Sequence, residues 1–282
     1  MKMLTLNTHS LQEDNYAEKL EWFVGRMLDE QPDVIALQEV NQTITAPEAP
    51  MHMHKGLAAV PHGIALREDN HAAAVAMRLR LAGMPCSWAW LPAKIGYGKY
   101  DEGLAILCPH RAIRRAQAYA ISRTDDYANW RTRRMLGVQL EGMDDWFCTV
   151  HMGWWNDEEE PFRDQWRAVS AALEDKRKHA PVWLMGDFNA PAEVRGESYD
   201  CIADSGWKDT YLTAERKDGG MTVSGVIDGW RDRTGGQEQP GGMRIDQIWC
   251  SHDAQIRSSQ VIFNGGNGPV VSDHYGVIIT TD

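Results

Sequence analysis

The chain has 282 residues, 43% of them hydrophobic and 24% charged, with a formal net charge of -11. That length supports a full core in one large domain or two small ones. The acidic balance argues against long nucleic acid or an anionic membrane as partner, because such ligands draw most of their affinity from basic faces. With no internal repeat, low-complexity tract or linker-like stretch, one layered domain over residues 1–282 is expected. No basic segment followed by an apolar run opens the chain, and no window approaches the roughly 20 apolar residues of a membrane helix. A cytoplasmic location is the expectation. The cysteines Cys86, Cys108, Cys148, Cys201 and Cys250 are scattered and mostly lie in apolar runs. They read as reduced, buried and structural.

The first strand ends at Asn7. A helix fits 16–30, because Tyr16, Leu20, Phe23, Val24, Met27 and Leu28 fall on one face. Pro32 stops it. Val34-Ile35-Ala36-Leu37 is a short buried strand running into Gln38-Glu39. Residues 46–63, rich in Pro, Met and His, read as a loop, and His52, His54 and His62 as solvated loop residues. A zinc site there would need a closed ligand set. A second helix is expected near 71–81, ended by Gly83. Strand-like runs follow at 86–90, 103–108, 135–140 and 146–150. Phe162, Trp166, Val169 and Leu173 have helical spacing, with a charged end at 174–178. Further strands fit 181–186, 244–250, 258–263 and 275–280, and the glycine-rich stretch 234–242 reads as a flexible loop. Polar residues recur where strands end: Asn7, Glu39, His151, Asp187, Asp246 and Asp273. The pattern predicts two packed sheets covered by helices, with loops at one edge building a site.

The chemistry concentrates in two short runs. Asp187 and Asn189 follow an apolar strand, and if extended geometry continues past it, positions i and i+2 point the same way. The alternative is an Asx-turn, which Asp and Asn both favour. In Ser272-Asp273-His274 a hard oxygen ligand adjoins an imidazole that titrates near neutrality. Together they suit metal-assisted attack on phosphorus.

These runs belong to an ordered set: Leu6-Asn7, Leu37-Gln38-Glu39-Val40, Val150-His151, Gly186-Asp187-Phe188-Asn189, Arg244-Ile245-Asp246 and Ser272-Asp273-His274. The set resembles the signature of the endonuclease/exonuclease/phosphatase superfamily. That resemblance implies an α/β fold, a four-layer α/β/β/α sandwich of two mainly antiparallel sheets. It implies magnesium, with manganese as a substitute, held by Glu39 with Asn7 and Asp273 nearby. Asp187 and Asn189 would orient and deprotonate the attacking water. His274 would contact the scissile phosphate, with Asp246 fixing its tautomer and charge. His151 would protonate the leaving oxygen, with Glu102 as its carboxylate partner. Arg133, in the basic cluster with Arg131 and Arg134, is a candidate phosphate contact.

The segment after His151 bears on the substrate. Trp154 and Trp155 adjoin Asn156 and the carboxylates of Asp157, Glu158, Glu159 and Glu160. Such acidity repels a polyanionic strand, whereas aromatic faces beside hydroxyl-binding groups suit a sugar. The competing reading is a Trp pair in the core. Residues 151–162, Asp101 to Leu107, Val226-Ile227-Asp228-Gly229-Trp230 and 261–265 are similar to a bacterial branch of the superfamily that includes maltose 6'-phosphate phosphatase. This likeness implies a phosphomonoesterase acting on a small phosphorylated sugar, a disaccharide 6'-phosphate in particular. A metal-dependent phosphodiesterase, nuclease or sphingomyelinase-like, is the alternative. A non-catalytic binding protein on the same fold would need a broken constellation.

Overall fold

The computed structural model describes residues 1–225, 227, 230 and 242–282. The expected loop at 234–242 lies, apart from Gly242, outside the described residues, as do Val226, Asp228 and Gly229. Two sheets carry the architecture. The first runs in the order β10 (Arg216–Lys217), β12 (Ile256–Ile262), β13 (Gly276–Thr281), β1 (Lys2–Asn7), β2 (Val34–Thr43), β4 (Tyr100–Pro109), β3 (Cys86–Gly96). The second runs β5 (Ile113–Ala120), β6 (Arg134–Leu140), β7 (Trp146–His151), β8 (Val182–Asp187), β11 (Asp246–Cys250), β9 (Lys208–Asp209). Pairing is mainly antiparallel; β1–β2, β7–β8 and β10–β12 are parallel.

Period-two alternation sorts the strand side chains into layers. Met3, Val34 and Ala36 face the second sheet, where they meet Val138, Phe147, Met185 and Ile248. Their neighbours Leu4, Leu6, Ile35 and Leu37 face the other way, onto α1 (Tyr16–Glu30) and α2 (His71–Leu81). On the far side, Leu184 and Trp249 pack under α3 (Phe162–His179) and α4 (Ser198–Asp204). The result is the expected α/β/β/α sandwich. Truncating a residue between the sheets, such as Phe147→Ala, would cost about 3–5 kcal/mol.

Several local expectations need amendment. Strands β3 and β4 are longer than their apolar runs. β5 was not expected, because only one of its faces is covered and Arg114, Arg115 and Gln117 break the apolar signal. The 46–63 segment is pinned rather than solvated throughout. Met53 and Val60 are buried in it, His54 Nε2 meets the Ala49 carbonyl at 3.2 Å, and the His62 ring packs edge-on to Trp90. All five cysteines are free thiols, four buried and Cys201 half-buried. No helix among the described residues is long and apolar enough to cross a membrane.

His71, at the start of α2, is buried with Tyr16 Oη 3.0 Å from its Nδ1. Burial, and then the Arg78 charge, push its pKa down to about 3. A folded-state value below the unfolded one means the group stabilises the fold above pH ~6.5 and that contribution drains away as pH falls toward 3. His71→Gln is therefore expected to cost stability at pH 7.5 and to cost less at pH 4.5, measured by urea melts. An unchanged difference at the two pH values would contradict the linkage.

Candidate active site

The strand termini converge at one edge of the sandwich. β1 ends at Asn7 and β7 at His151; Asp187 ends β8 and Asp246 opens β11. Register sets Asp187 between His151 on one side and Asp246 on the other. Gly186 makes this possible: its φ is 148°, and a Cβ there would lie 2.0 Å from the Val150 carbonyl oxygen. Glu39 is not at a strand end. It sits inside β2 on a bulge, where the two residues Gln38 and Glu39 face the single Leu104 between the Leu37–Ala105 and Val40–Gly103 pairs. Its φ is 50°, a left-handed conformation that costs about 1 kcal/mol or more in a non-glycine residue. Thr8 Oγ1 and Ser10 Oγ donate to the carbonyls of Gln38 and Glu39, each at 2.8 Å, and hold that conformation. The bulge turns Glu39 toward the cleft.

Asp187 and Asn189 share the site through a turn, not through extended geometry. The Asn189 amide N–H donates to Asp187 Oδ1 at 2.8 Å, and Asn189 has φ 46°. The Asx-turn and the shared site are thus one arrangement. The Asn189 side chain is braced on both sides: Nδ2 donates to the Met152 carbonyl (2.9 Å) and Oδ1 accepts from Trp230 Nε1 (2.7 Å). It holds Asp187's loop more than it reaches for water. Asn7 Nδ2 donates to Glu39 Oε1 (3.0 Å) and to Asp187 Oδ2 (3.2 Å), tying the two carboxylates together. Its Oδ1 in turn accepts from the His9 amide N–H at 3.2 Å.

Asp246 is fully buried and accepts from His274 Nδ1 at 2.9 Å; His274 Nε2 lies 3.8 Å from Asp187 Oδ2. Burial works against a charged His274, but the charges of Asp246 and Asp187 outweigh it and hold the imidazolium well above its ordinary pKa. Burial, opposed by His274 and reinforced by Asp246, raises Asp187 to about 6. His151 Nε2 stands 3.6 Å from Asp187 Oδ2, and its Nδ1 is 4.0 Å from Glu39 Oε1. Burial, with Arg133, Lys94 and His274 nearby, pushes His151 well below its usual value, so it is neutral here. As a proton donor to the leaving oxygen it would act from the neutral imidazole, not from a standing imidazolium.

A cleft of about 220 Å³ opens over these groups. Of the expected set, Glu39, Glu102, Arg133, His151, Trp154, Asp187, Asn189, Asp273 and His274 line it, while Asn7 and Asp246 lie behind its wall. Three members behave otherwise than expected. Glu102 does not pair with His151: its Oε1 meets Lys94 Nζ at 3.1 Å. Trp155 faces away, packing on Phe162 beneath Arg163, and Asn156 is exposed outside the cleft. The acidic loop is also less free than its composition implies. Asp157 accepts the backbone N–H groups of Glu159 and Glu160, and Glu160 accepts those of Arg123 and Thr124. Two of the carboxylates are therefore loop caps.

The sequence reading missed Lys94, Tyr97 and Trp130, all in the cleft wall. Trp130 is 46% exposed and Tyr97 44%; Trp130 leans on Trp154 with ring centroids 6.0 Å apart. Exposed aromatics in the polar runs 94–100 and 124–134 were the available signal. His9 and Glu13 were missed too. His9 Nδ1 bonds Glu13 Oε1 (2.7 Å) and lies 3.8 Å from Asp273 Oδ1. Their neighbour Asn7 was the clue.

A divalent cation fits this donor set. Glu39 Oε2 is buried with no hydrogen-bond partner among the described residues. Burial, followed by repulsion from Glu102 and Asp273, lifts Glu39 to about 7. A cation between Glu39 and Asp273 would relieve both costs. His9, Glu13 and Asp273 offer ligand atoms within 4.8 Å of one another at the same rim.

The sequence matches the model of the Endonuclease/Exonuclease/phosphatase family over residues 4–274. No curated protein matches it significantly. Among solved structures, an endonuclease/exonuclease/phosphatase family protein from Leptotrichia buccalis C-1013-b is 30% identical, with a TM-score of 0.84, over 100% of this chain and 99% of that one. A mannosyl-6-phosphatase from Bacteroides thetaiotaomicron VPI-5482 is 14% identical, with a TM-score of 0.66, over 100% and 99% of the two chains. Truncated Caenorhabditis elegans TDP2 is 16% identical, with a TM-score of 0.60, over 99% and 96%. The last two likenesses are of fold.

Proposed function

The chain belongs to the endonuclease/exonuclease/phosphatase family, and from that premise we propose that it is a magnesium-dependent phosphomonoesterase acting on a phosphorylated sugar, a disaccharide 6'-phosphate such as maltose 6'-phosphate. Manganese would serve as a substitute. The observation that carries this reading is the division of the cleft. Its floor holds Asp187 and His274, backed by Asp246, and the Glu39 oxygen that has no hydrogen-bond partner among the described residues. Its rim carries the exposed aromatics Trp130 and Tyr97 beside Trp154.

The geometry supports the following roles. Glu39 and Asp273 would hold the metal, which when bound neutralises phosphate charge. Asp187, ionised above its pKa of about 6, would align the attacking water and take its proton. The imidazolium of His274 would stabilise the charge that develops on the phosphoryl oxygens, with Asp246 keeping it protonated and oriented. The cleft volume of about 220 Å³ suits one phosphorylated ring. A second ring would lie on the Trp130 and Tyr97 faces, whose flat apolar surfaces match the CH face of a sugar. The net charge of -11 supports a small ligand over a nucleic-acid strand.

A phosphate-release screen with magnesium, covering hexose and disaccharide 6-phosphates, a nucleotide, inositol phosphates and plasmid DNA, tests the reading. The best substrate is expected to be the disaccharide phosphate. Readily nicked plasmid with every sugar phosphate untouched would overturn it. Within that screen Trp130→Ala is expected to lower kcat/KM for a disaccharide phosphate about 10-fold, the size of one lost aromatic contact, and that for a small ester much less. Trp155→Ala is expected to lower the melting temperature and treat both substrates alike. Equal losses on both substrates in Trp130→Ala would remove the rim from sugar binding.

A further inference from the structure

Two cations lie in the cleft wall: Arg133, the expected phosphate contact, and Lys94, which has no role so far. Lys94 is 7% exposed and Arg133 3%, yet both border the open cleft. Lys94 gets there through a second bulge. Between Pro92 and Lys94, strand β3 carries one residue more than β4, whose Gly103 and Glu102 are consecutive. The bulge that aims Glu39 lies in β2, on the opposite flank of β4, so both neighbours of β4 shift register beside Gly103. Glycines on either side clear the space. A Cβ on Gly103 would lie 2.3 Å from the Leu91 carbonyl oxygen, and one on Gly96 would lie 2.4 Å from Glu102 Oε2. The Glu102 carboxylate therefore fills the room above Gly96 and stands against Lys94 Nζ at 3.1 Å.

Among the described residues Arg133 has no such partner. Its Nε is buried without a hydrogen bond, and no side-chain hydrogen bond or ion pair of its guanidinium is found among the described residues. Its guanidinium carbon stands 5.7 Å from the Trp154 ring centroid. A buried guanidinium without hydrogen bonds is costly unless an anion meets it. Lys94 has three donors and meets Glu102 with one contact. The wall thus holds more cationic donor capacity than the described residues satisfy, in the cleft that Glu39 and Asp273 also line.

We propose that Lys94 and Arg133 clamp the terminal oxygens of a phosphate dianion, so that this site selects phosphomonoesters over phosphodiesters, with Glu102 positioning Lys94. The inference rests on the phosphomonoesterase reading above and deepens it by assigning the residues that set the preference for monoesters. A monoester presents three unesterified oxygens and, at neutral pH, close to two charges; a diester presents two oxygens and one charge. The planar Arg fork takes two oxygens and the compact ammonium a third. A diester that used the fork would set its second ester group against Lys94, leaving a buried cation facing carbon. The pair therefore gains most from the oxygen that only a monoester supplies.

The test uses two substrates with one leaving group, para-nitrophenyl phosphate and bis(para-nitrophenyl) phosphate, in magnesium, together with inhibition by inorganic phosphate. Lys94→Met is expected to lower kcat/KM for the monoester about 10- to 100-fold, the size of one or two charge-assisted hydrogen bonds, and to lower that for the diester by several-fold less. Inhibition by inorganic phosphate should weaken in parallel, a readout independent of turnover. Lys94→Arg should keep most of the monoester preference, which a purely packing role would not predict. If Lys94→Met does not fold, Lys94→Gln and Arg133→Lys take its place with the same expected shift in the substrate ratio. A phosphatase whose variants keep the wild-type monoester-to-diester ratio and the wild-type phosphate inhibition overturns the clamp alone. A wild-type protein that cleaves the diester and releases phosphate from no monoester overturns the phosphatase reading instead.

Discussion

Glu39→Gln is expected to abolish turnover in magnesium, by on the order of 10³-fold or more, while leaving the fold intact. The bulge that carries Glu39 is held by its backbone carbonyls, through Thr8 and Ser10, and not by its carboxylate. Glutamine is of the same size and retains an oxygen for Asn7. What disappears is the charge that a dication needs, and with it several kcal/mol of charge neutralisation at phosphorus. The same substitution has a stability signature. Burial, then Glu102 and Asp273, raise the Glu39 pKa to about 7. A carboxyl raised above its unfolded value favours the fold below pH ~4.5, and that contribution is lost as pH climbs through 7. Without metal, Glu39→Gln should therefore melt higher than wild type at pH 8. Added magnesium should raise the melting temperature of wild type and leave the variant unmoved. An active Glu39→Gln protein, or one with an undiminished magnesium shift, would end the assignment.

The second large effect is expected from Asp187, Asp246 and His274, which should act as one unit. Asp246 holds Nδ1 of His274, and Nε2 of His274 faces Asp187 Oδ2. His274→Ala and Asp187→Asn are each expected to lower kcat by about 10²–10⁴, the range of acid–base and electrostatic roles. Asp246→Asn should act through the imidazole. Wild type keeps His274 protonated well above neutrality because Asp246 and Asp187 overcome its burial. Losing Asp246 lets that pKa fall, so the alkaline limb of the rate profile should move to lower pH. In a cycle of Asp246→Asn and His274→Ala, the double variant should be scarcely worse than His274→Ala alone. Multiplying losses would show that the residues serve separate steps, and near-native kcat in either His274→Ala or Asp187→Asn would refute the proposed chemistry.

Much of this site was legible from the chain. Asn7, His151, Asp187, Asp246 and His274 follow or precede apolar runs, and a strand's end is set locally by where hydrophobic alternation stops. Their order along the sequence was enough to place them at one edge of two sheets. The helices at 16–30 and 162–179 were equally plain, since a buried stripe on a helix recurs every third or fourth residue, whereas the helix at 71–81 is buried without a break over His71–Ala76 and was marked by Gly83 after its end.

Other features needed the partner strand. A bulge is a mismatch between two strands, and neither β2 nor β3 read alone contains one; hence Glu39 seemed a strand end and Lys94 went unnoticed. The direction of a side chain in a loop is likewise decided by what packs beneath it. Trp154 and Trp155 are adjacent and chemically identical, yet Phe162 and Arg163 draw Trp155 outward while Trp154 meets Trp130 at the cleft. The pairing of Glu102 with Lys94 in place of His151 has the same origin. A carboxylate takes the cation that tertiary packing sets nearest, and Coulomb attraction in a buried site depends on separation in space, not along the chain. By itself the sequence determined the family, the sandwich and the residue types of the catalytic floor, because these follow from local periodicity and ordered motifs. Tertiary structure alone decided which side chains face the substrate, since backbone offsets of a single residue, set by the neighbouring strand, turn a side chain into the cleft or away from it.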